Sequence, residues 1–347
     1  MAHTILGPKV SKAAEVVAGT LMNVSAGESV LITADTGTDM AAVDAIQDAA
    51  YRRGGKVAVL RLAPAMPFQG TLGDPYIPEF VTAAACASDV WIDMCFPYIA
   101  GSKAFDTALH QGRTRYLLAG DMGCEELVRI MAMVDLDEMY GLGDAFADFI
   151  ATQAGKEGRI TCPNGTDMKF VVAPTEGLAM TKGHKAGGYF TPGTVIIIPE
   201  LESVRGQFVT KFFFHEYYTQ SEAPLTMTLD GKVKDVIGGG PENKVMRRSL
   251  ERAGNGDFGY VVHLTCGIHP AARQTGHCFI EDQRVVGSNA IGLGLPPWQE
   301  GGGENHPDCV INTQTITIDG KTIVKDGVIV GPDSLAKMSA KLKPIFG

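Results

Sequence analysis

The sequence has no C-x-x-C pair: its seven cysteines (Cys86, Cys95, Cys124, Cys162, Cys266, Cys278, Cys309) are odd in number and scattered. Neither a disulfide framework nor a zinc ribbon is expected, and a reducing, cytoplasmic location is. Positive charge is also in deficit. Thirty Lys+Arg against 39 Asp+Glu give a net charge of −9, which argues against a nucleic-acid partner, because duplex binding needs clustered basic residues to neutralise phosphates. No apolar run reaches the ~20 residues of a membrane span. The N-terminal MAHTILGPKVSK lacks a basic region followed by an apolar core, so no signal peptide is expected.

The common catalytic signatures are missing as well. There is no G-x-x-x-x-G-K-[ST] phosphate loop, no G-x-S-x-G nucleophile elbow and no H-E-x-x-H. No G-x-G-x-x-G follows the first strand-like run, where Thr36-Gly37-Thr38 reads as a turn, so dinucleotide binding is poorly supported. Gly238-Gly239-Gly240 and Gly292-Leu293-Gly294 open no convincing helix.

Glycine is what the chain has in excess, 42 of 347 residues, against a usual ~7%. It is dispersed without a collagen-like period and so signals turns. The length suits two domains. Up to residue 155, short apolar runs (Glu28–Ala34, Lys56–Leu62, Val90–Phe96, Tyr116–Ala119) alternate with helical patterns over Lys9–Leu21, Asp39–Tyr51 and Pro78–Ala87. Two further helices are predicted near Glu125–Met139 and Asp144–Ala154. This alternation describes a doubly wound parallel-sheet α/β domain over residues 1–155. From 156 to 347 the rhythm changes to paired strand-like runs around Asn164-Gly165, Asp230-Gly231, Asp319-Gly320 and Asp326-Gly327. Asp-Gly between alternating runs signals a hairpin, because both central residues of a type I′ turn need positive φ. The second domain is predicted to be mainly antiparallel β, an α+β arrangement. Two domains with many strand edges make a homo-oligomer the expected state, because edges need covering.

Histidine is scarce, yet five of the eight (His215, His263, His269, His277, His306) fall between 215 and 306. In Gly301-Gly-Gly-Glu-Asn-His306-Pro-Asp308, a strand start would put residues i and i+2 on one face, making His306 and Asp308 a two-ligand clip. Pro307, which has no N–H to give, suits that position. The plain alternative is a surface histidine beside a turn-forming aspartate. His263 lies in the apolar run Tyr260–Gly267, where a charged imidazole would be costly and a neutral one, hydrogen-bonded or on a metal, tolerable. The plain alternative there is a satisfied core histidine. Together the three would provide two imidazoles and one carboxylate. That set typifies mononuclear non-haem Fe(II) oxygenases and also serves catalytic zinc.

The second half resembles the aminopeptidase T-like metalloprotein superfamily and, within it, the ring-opening 2,5-dihydroxypyridine 5,6-dioxygenases of bacterial nicotinate and pyridine degradation. The resemblance is carried by Gly158-Arg-Ile-Thr-Cys-Pro-Asn-Gly165-Thr166-Asp167, Pro192-Gly-Thr194-Val-Ile-Ile-Ile-Pro199, His263…Gly267…Pro270, Val286-Gly-Ser-Asn289-Ala-Ile-Gly and Gly301-Gly-Gly-Glu-Asn-His306-Pro-Asp308. The first half is compatible in order and size but carries less specific motifs. Where the two-metal peptidases of the superfamily place ligand residues, this chain has Thr194, His263 and Asn289, whereas the terminal H-x-D survives. The resemblance therefore implies one Fe(II) on His263, His306 and Asp308, and an extradiol-like dioxygenase that incorporates both atoms of O₂. Its substrate would be a small hydroxylated aromatic or heteroaromatic ring, with the β-rich domain as the metal-binding catalytic one.

By position in the family motifs, Glu176 and Tyr189 are the candidate acid and base, and Ser102, His269 and Asn289 are candidate substrate-binding residues. Tyr189 stands where the pyridine enzyme is expected to place a histidine, so the substrate need not be 2,5-dihydroxypyridine itself. His184 reads as a solvated loop residue, and Cys309, on the face opposite Asp308, as packing. The rival reading is a metal-dependent hydrolase of the aminopeptidase kind, with Glu304 or Glu176 activating water. A second rival is a non-catalytic ligand-binding protein whose histidines are structural.

Overall fold

The computed structural model describes residues 3–63, 66–175, 181–296, 299, 302 and 306–345. Glu176 and Glu304, both singled out from the sequence, lie outside them, as does most of the glycine run before His306. The chain divides into two compact units. One comprises Met1–Leu136, Thr181–Pro192 and Pro344–Gly347, the other Asp137–Met180 and Gly193–Lys343.

In the first unit α1 (His3–Glu15) runs on as a π-helical stretch to Leu21, followed by β1 (Ser29–Ala34), α2 (Met40–Arg52) and β2 (Lys56–Arg61). Next come α3 (Glu79–Ala87), β3 (Val90–Asp93), α4 (Lys103–His110), β4 (Arg115–Leu118) and α5 (Cys124–Leu127). The strands align in parallel in the order β2-β1-β3-β4, with α1 packed on α2 and α3 on α4. Only Ser29 of β1 is not fully buried, as expected of a central parallel strand covered on both faces. Asp39 caps α2, its carboxylate accepting the Ala41 amide at 3.0 Å, which satisfies one of the helix's free donors. In the core, Trp91 meets Tyr116 edge-to-face at 4.9 Å and donates to Thr33 Oγ1.

At the β1/β3 switch point, where open α/β sheets commonly receive ligands, this chain places its own carboxylates. Asp35 accepts the amides of Gly37, Thr38 and Phe96, and buried Asp93 accepts Thr33 Oγ1, the Tyr116 hydroxyl and the amides of Cys95 and Ile99.

The second unit begins with α6 (Leu136–Ala151), β5 (Glu157–Thr161) and β6 (Asp167–Val171). The chain then returns to the first unit for β7 (Gly187–Phe190), which joins the parallel sheet beside β4. Thereafter come β8 (Thr194–Ile197), β9 (Arg205–Phe214), β10 (Tyr218–Asp230), β11 (Lys232–Gly238), α7 (Glu242–Ala253), β12 (Tyr260–Gly267), α8 (Phe279–Asp282) and β13 (Asn289–Gly294). The chain closes with β14 (Asp308–Ile311), β15 (Thr315–Ile318), β16 (Lys321–Lys325), β17 (Val328–Ile329) and α9 (Asp333–Lys341). These strands form a large antiparallel sheet in the order β17-β16-β15-β5-β6-β9-β14-β13-β12-β8, with β10 and β11 branching from β9. The predicted α/β plus β-rich fold class is therefore observed.

Three local expectations differ. A single helix, α6, replaces the break predicted between Met139 and Asp144. Gly141 and Gly143 cost a helix about 1 kcal/mol each, and α6 offsets this by burying Met139, Leu142, Phe146 and Ile150. Helix α4 was not anticipated. Of the four Gly-containing turns, only Asp319-Gly320 and Asp326-Gly327 have positive φ at both residues. At Asn164-Gly165 and Asp230-Gly231 the glycine alone does, so these are not type I′ turns.

Candidate metal centre

Three adjacent strands build the site. His263 of β12 lies opposite Gly292 of β13, and Gly292 lies opposite Asp308 of β14. Residues directly opposite one another share a sheet face, so the two side chains flank a position with no side chain. Neighbouring strands are about 4.8 Å apart, which leaves two strand spacings between β12 and β14. His263 and Asp308 lean across Gly292 and bring Nε2 to 3.2 Å from Oδ1.

The alignment depends on an irregularity in β12. Val261 lies opposite Leu293 and His263 opposite Gly292, so Val262 is one residue too many for its partner strand. Such a bulge re-aims the side chain that follows it. Here it puts His263 on the face of Gly292 and Asp308.

His306 completes the group from just before β14, where Pro307 accepts the Leu293 amide at 2.9 Å and starts the pairing without needing an N–H of its own. The ligand atoms of His263, His306 and Asp308 all lie within 4.8 Å of one another, and the two imidazole rings are 5.1 Å apart. Sequence spacing anticipated the meeting of His306 with Asp308 and named His263 as their third partner.

Three features fit this group to a metal ion. Asp308 Oδ1 is buried and has no hydrogen-bond partner among the described residues, the 3.2 Å approach to His263 Nε2 lacking the alignment of a hydrogen bond. Buried polar atoms are rarely left so. Burial pushes the His306 imidazole down to about 4, Asp308 opposing the shift and His263 reinforcing it, so the ring is neutral and can offer a lone pair. Burial would raise the Asp308 carboxyl, but the two imidazoles outweigh that and hold it below its ordinary value, so it is an anion. Finally, a Cβ on Gly292 would overlap both His263 Nε2 and His306 Nε2, so the two rings can converge only because this strand position has no side chain. Two imidazoles and one carboxylate around an open point can hold a divalent ion.

The other residues proposed from the sequence have local partners. Asn289, opposite Ile311 in β13, accepts the Thr265 amide through Oδ1 and donates through Nδ2 to Gln314 Oε1, each at 2.8 Å. Gln314 in turn donates to the Ser288 carbonyl at 2.7 Å. His269 is fully buried and its Nδ1 accepts the Ala271 amide. In the first unit, Ser102 caps α4 by accepting the Phe105 amide, and the Tyr189 hydroxyl of β7 donates to the Lys185 carbonyl at 2.7 Å. His184 is exposed and Cys309 is buried, as expected of them. Sequence reasoning missed Gly292. Its signal was a glycine inside a strand pattern, which marks a close approach.

Among solved structures, 2,5-dihydroxypyridine dioxygenase from Pseudomonas putida KT2440 shares the fold with a TM-score of 0.70 at 20% identity, over 94% of this chain and 98% of that one. Wild-type AmpT from Thermus thermophilus is similar with a TM-score of 0.65 at 16% identity, over 94% of this chain and 100% of that one. No curated protein sequence matches significantly. The model of the 2,5-dihydroxypyridine 5,6-dioxygenase family, NicX, matches residues 16–331, and the chain belongs to that family of dioxygenases.

Proposed function

We propose that the chain is an Fe(II)-dependent, ring-cleaving dioxygenase that incorporates both atoms of O₂ into a hydroxylated pyridine-type ring resembling 2,5-dihydroxypyridine. The observation that carries this reading is the convergence of His263, His306 and Asp308 on one point beside a side-chain-free strand position. Two imidazoles and one carboxylate with positions left open are the ligand set of mononuclear non-haem iron oxygenases. Iron(II), when bound, would supply a coordination site for a ring hydroxyl and the electronic link between ring and O₂.

The protein's own part is electrostatic and steric. Asp308 would cancel one of the ion's two positive charges and leave a cationic centre, which favours a ring hydroxyl in its ionised form. Imidazole ligands, which bind a metal in their neutral form, would add no charge. For the acid–base steps the proposed groups are Glu176 and Tyr189. The Tyr189 hydroxyl would have to exchange its bond to the Lys185 carbonyl for one to substrate. Ser102, His269 and Asn289 are the proposed contributors to ring binding, and a homo-oligomeric, cytoplasmic enzyme is the proposed setting.

Against the hydrolase reading, Asn289 carries an amide with both ends engaged where a second-metal ligand would be needed, and Thr194 carries a hydroxyl. The deciding experiment is anaerobic purification, metal analysis and oxygen-uptake assays with a panel of hydroxylated pyridines. Stoichiometric iron with O₂ consumed alongside loss of ring absorbance is expected. Zinc with oxygen-independent turnover would overturn the proposal in favour of the hydrolase.

A further inference from the structure

From the same rung of the sheet we infer that Gly292 is the positioning residue of the metal centre: a strand position that must lack a side chain for the ion to be held. The inference rests on the metal reading of His263, His306 and Asp308 and adds a requirement that none of those ligands meets by itself.

Gly292 lies on the middle strand of three, opposite His263 on one side and Asp308 on the other. Any β-carbon there would enter the point on which both Nε2 atoms converge. The glycine is not there for its backbone. Its φ lies outside the positive range, unlike that of Gly294 two residues on, so alanine could adopt the same conformation.

The Val262 bulge is the second half of the device. It turns His263 onto the face that Gly292 leaves empty. The ligands and the gap are therefore specified by different strands, and the gap is specified by one residue.

The inference separates the place where the donors converge from their supply, because Gly292→Ala deletes none of the three donor residues and only denies two of them their position. The test uses the full chain stripped of metal and titrated with Co(II) and with Zn(II). Binding is followed by calorimetry and by the visible absorption of cobalt, and folding by circular dichroism. Wild type should bind one equivalent. Gly292→Ala should keep its circular dichroism, lose the cobalt band and bind about 100-fold more weakly, a loss at the upper end of those seen when a ligand's support is removed. If Gly292→Ala does not fold, the triple variant Gly292→Ala/His263→Ala/His306→Ala should, because removing both rings removes the overlap. A triple variant that also fails to fold overturns the inference. So does a folded Gly292→Ala with affinity within about threefold of wild type, a difference under 1 kcal/mol. If wild type itself binds neither ion, the metal reading fails instead, an outcome separate from one in which both proteins bind equally.

Discussion

His263 Nε2 stands 3.2 Å from Asp308 Oδ1 although their strands, β12 and β14, never pair. The strand between them separates the two backbones, and its glycine lets the side chains meet. His263 and Asp308, two of the three proposed ligands, are thus held in sheet ladders, which position functional groups more accurately than a loop can. Removing a ligand should empty the site and leave the ladder standing. His306→Ala and Asp308→Ala are each expected to lose iron retention and ring cleavage to background while keeping the wild-type circular dichroism spectrum. Wild-type turnover in either variant would refute the assignment.

Metal should also stabilise the fold. An ion bound only by the native state at 100 times its dissociation constant adds about 2.7 kcal/mol. Stripping the protein with a chelator should lower its unfolding temperature by several degrees and abolish oxygen uptake. Adding Fe(II) anaerobically should restore both. The Asp308→Ala protein should show no such difference between chelator and metal, measured by calorimetry.

Asn289 gives a way to separate packing from substrate binding. Its amide joins Thr265 to Gln314 in a fully buried network. Asn289→Ala strands the Thr265 amide and one end of Gln314, which should cost about 2–3 kcal/mol in urea unfolding with metal content unchanged. A variant of undiminished stability and raised KM would place the amide on the substrate instead.

Acid sensitivity should arise in part on the far side of β14. Bidentate hydrogen bonding from Arg248, opposed by partial burial and reinforced by Arg252, holds the Glu216 carboxyl down at about 2, against 4.5 ordinarily. Because the folded value is the lower one, this stabilisation is complete above pH 4.5 and disappears as pH falls towards 2. After allowance for screening it amounts to about 1–2 kcal/mol. Urea-unfolding free energies of Glu216→Gln and wild type should therefore differ above pH 4.5 and converge at the acid end. A difference that stays constant with pH would disprove it.

Much of this architecture was legible from periodicity. The strands Ser29–Ala34 and Val90–Asp93 follow runs of buried apolar residues, Lys56–Arg61 follows an apolar run that stays partly exposed at the sheet edge, and Asp39 marks its helix by a capping side chain. The H-x-D pair was legible because a two-residue spacing at a strand start has one geometric outcome. The Val262 bulge was not, because a single extra residue leaves no mark in composition and only the partner strand's register shows it. Gly292 escaped for a related reason. A glycine run was examined for helix starts and phosphate binding, whereas its role depends on what two other strands place beside it. The continuity of α6 through Gly141 and Gly143 was not legible, because the burial of Phe146 and Ile150 that offsets those glycines is a tertiary effect.

The return of β7 has a consequence for the order of synthesis. A ribosome completes β5 and β6 of the other unit before it releases the strand that covers β4. Until then the backbone edge of Arg115–Leu118 is bare, and a bare strand edge is a template for pairing with a second chain. A fragment ended after α6 would keep that edge exposed permanently. The first unit is therefore best produced as part of the whole chain, and the segment 181–192 is where a protease cut would do most to expose it.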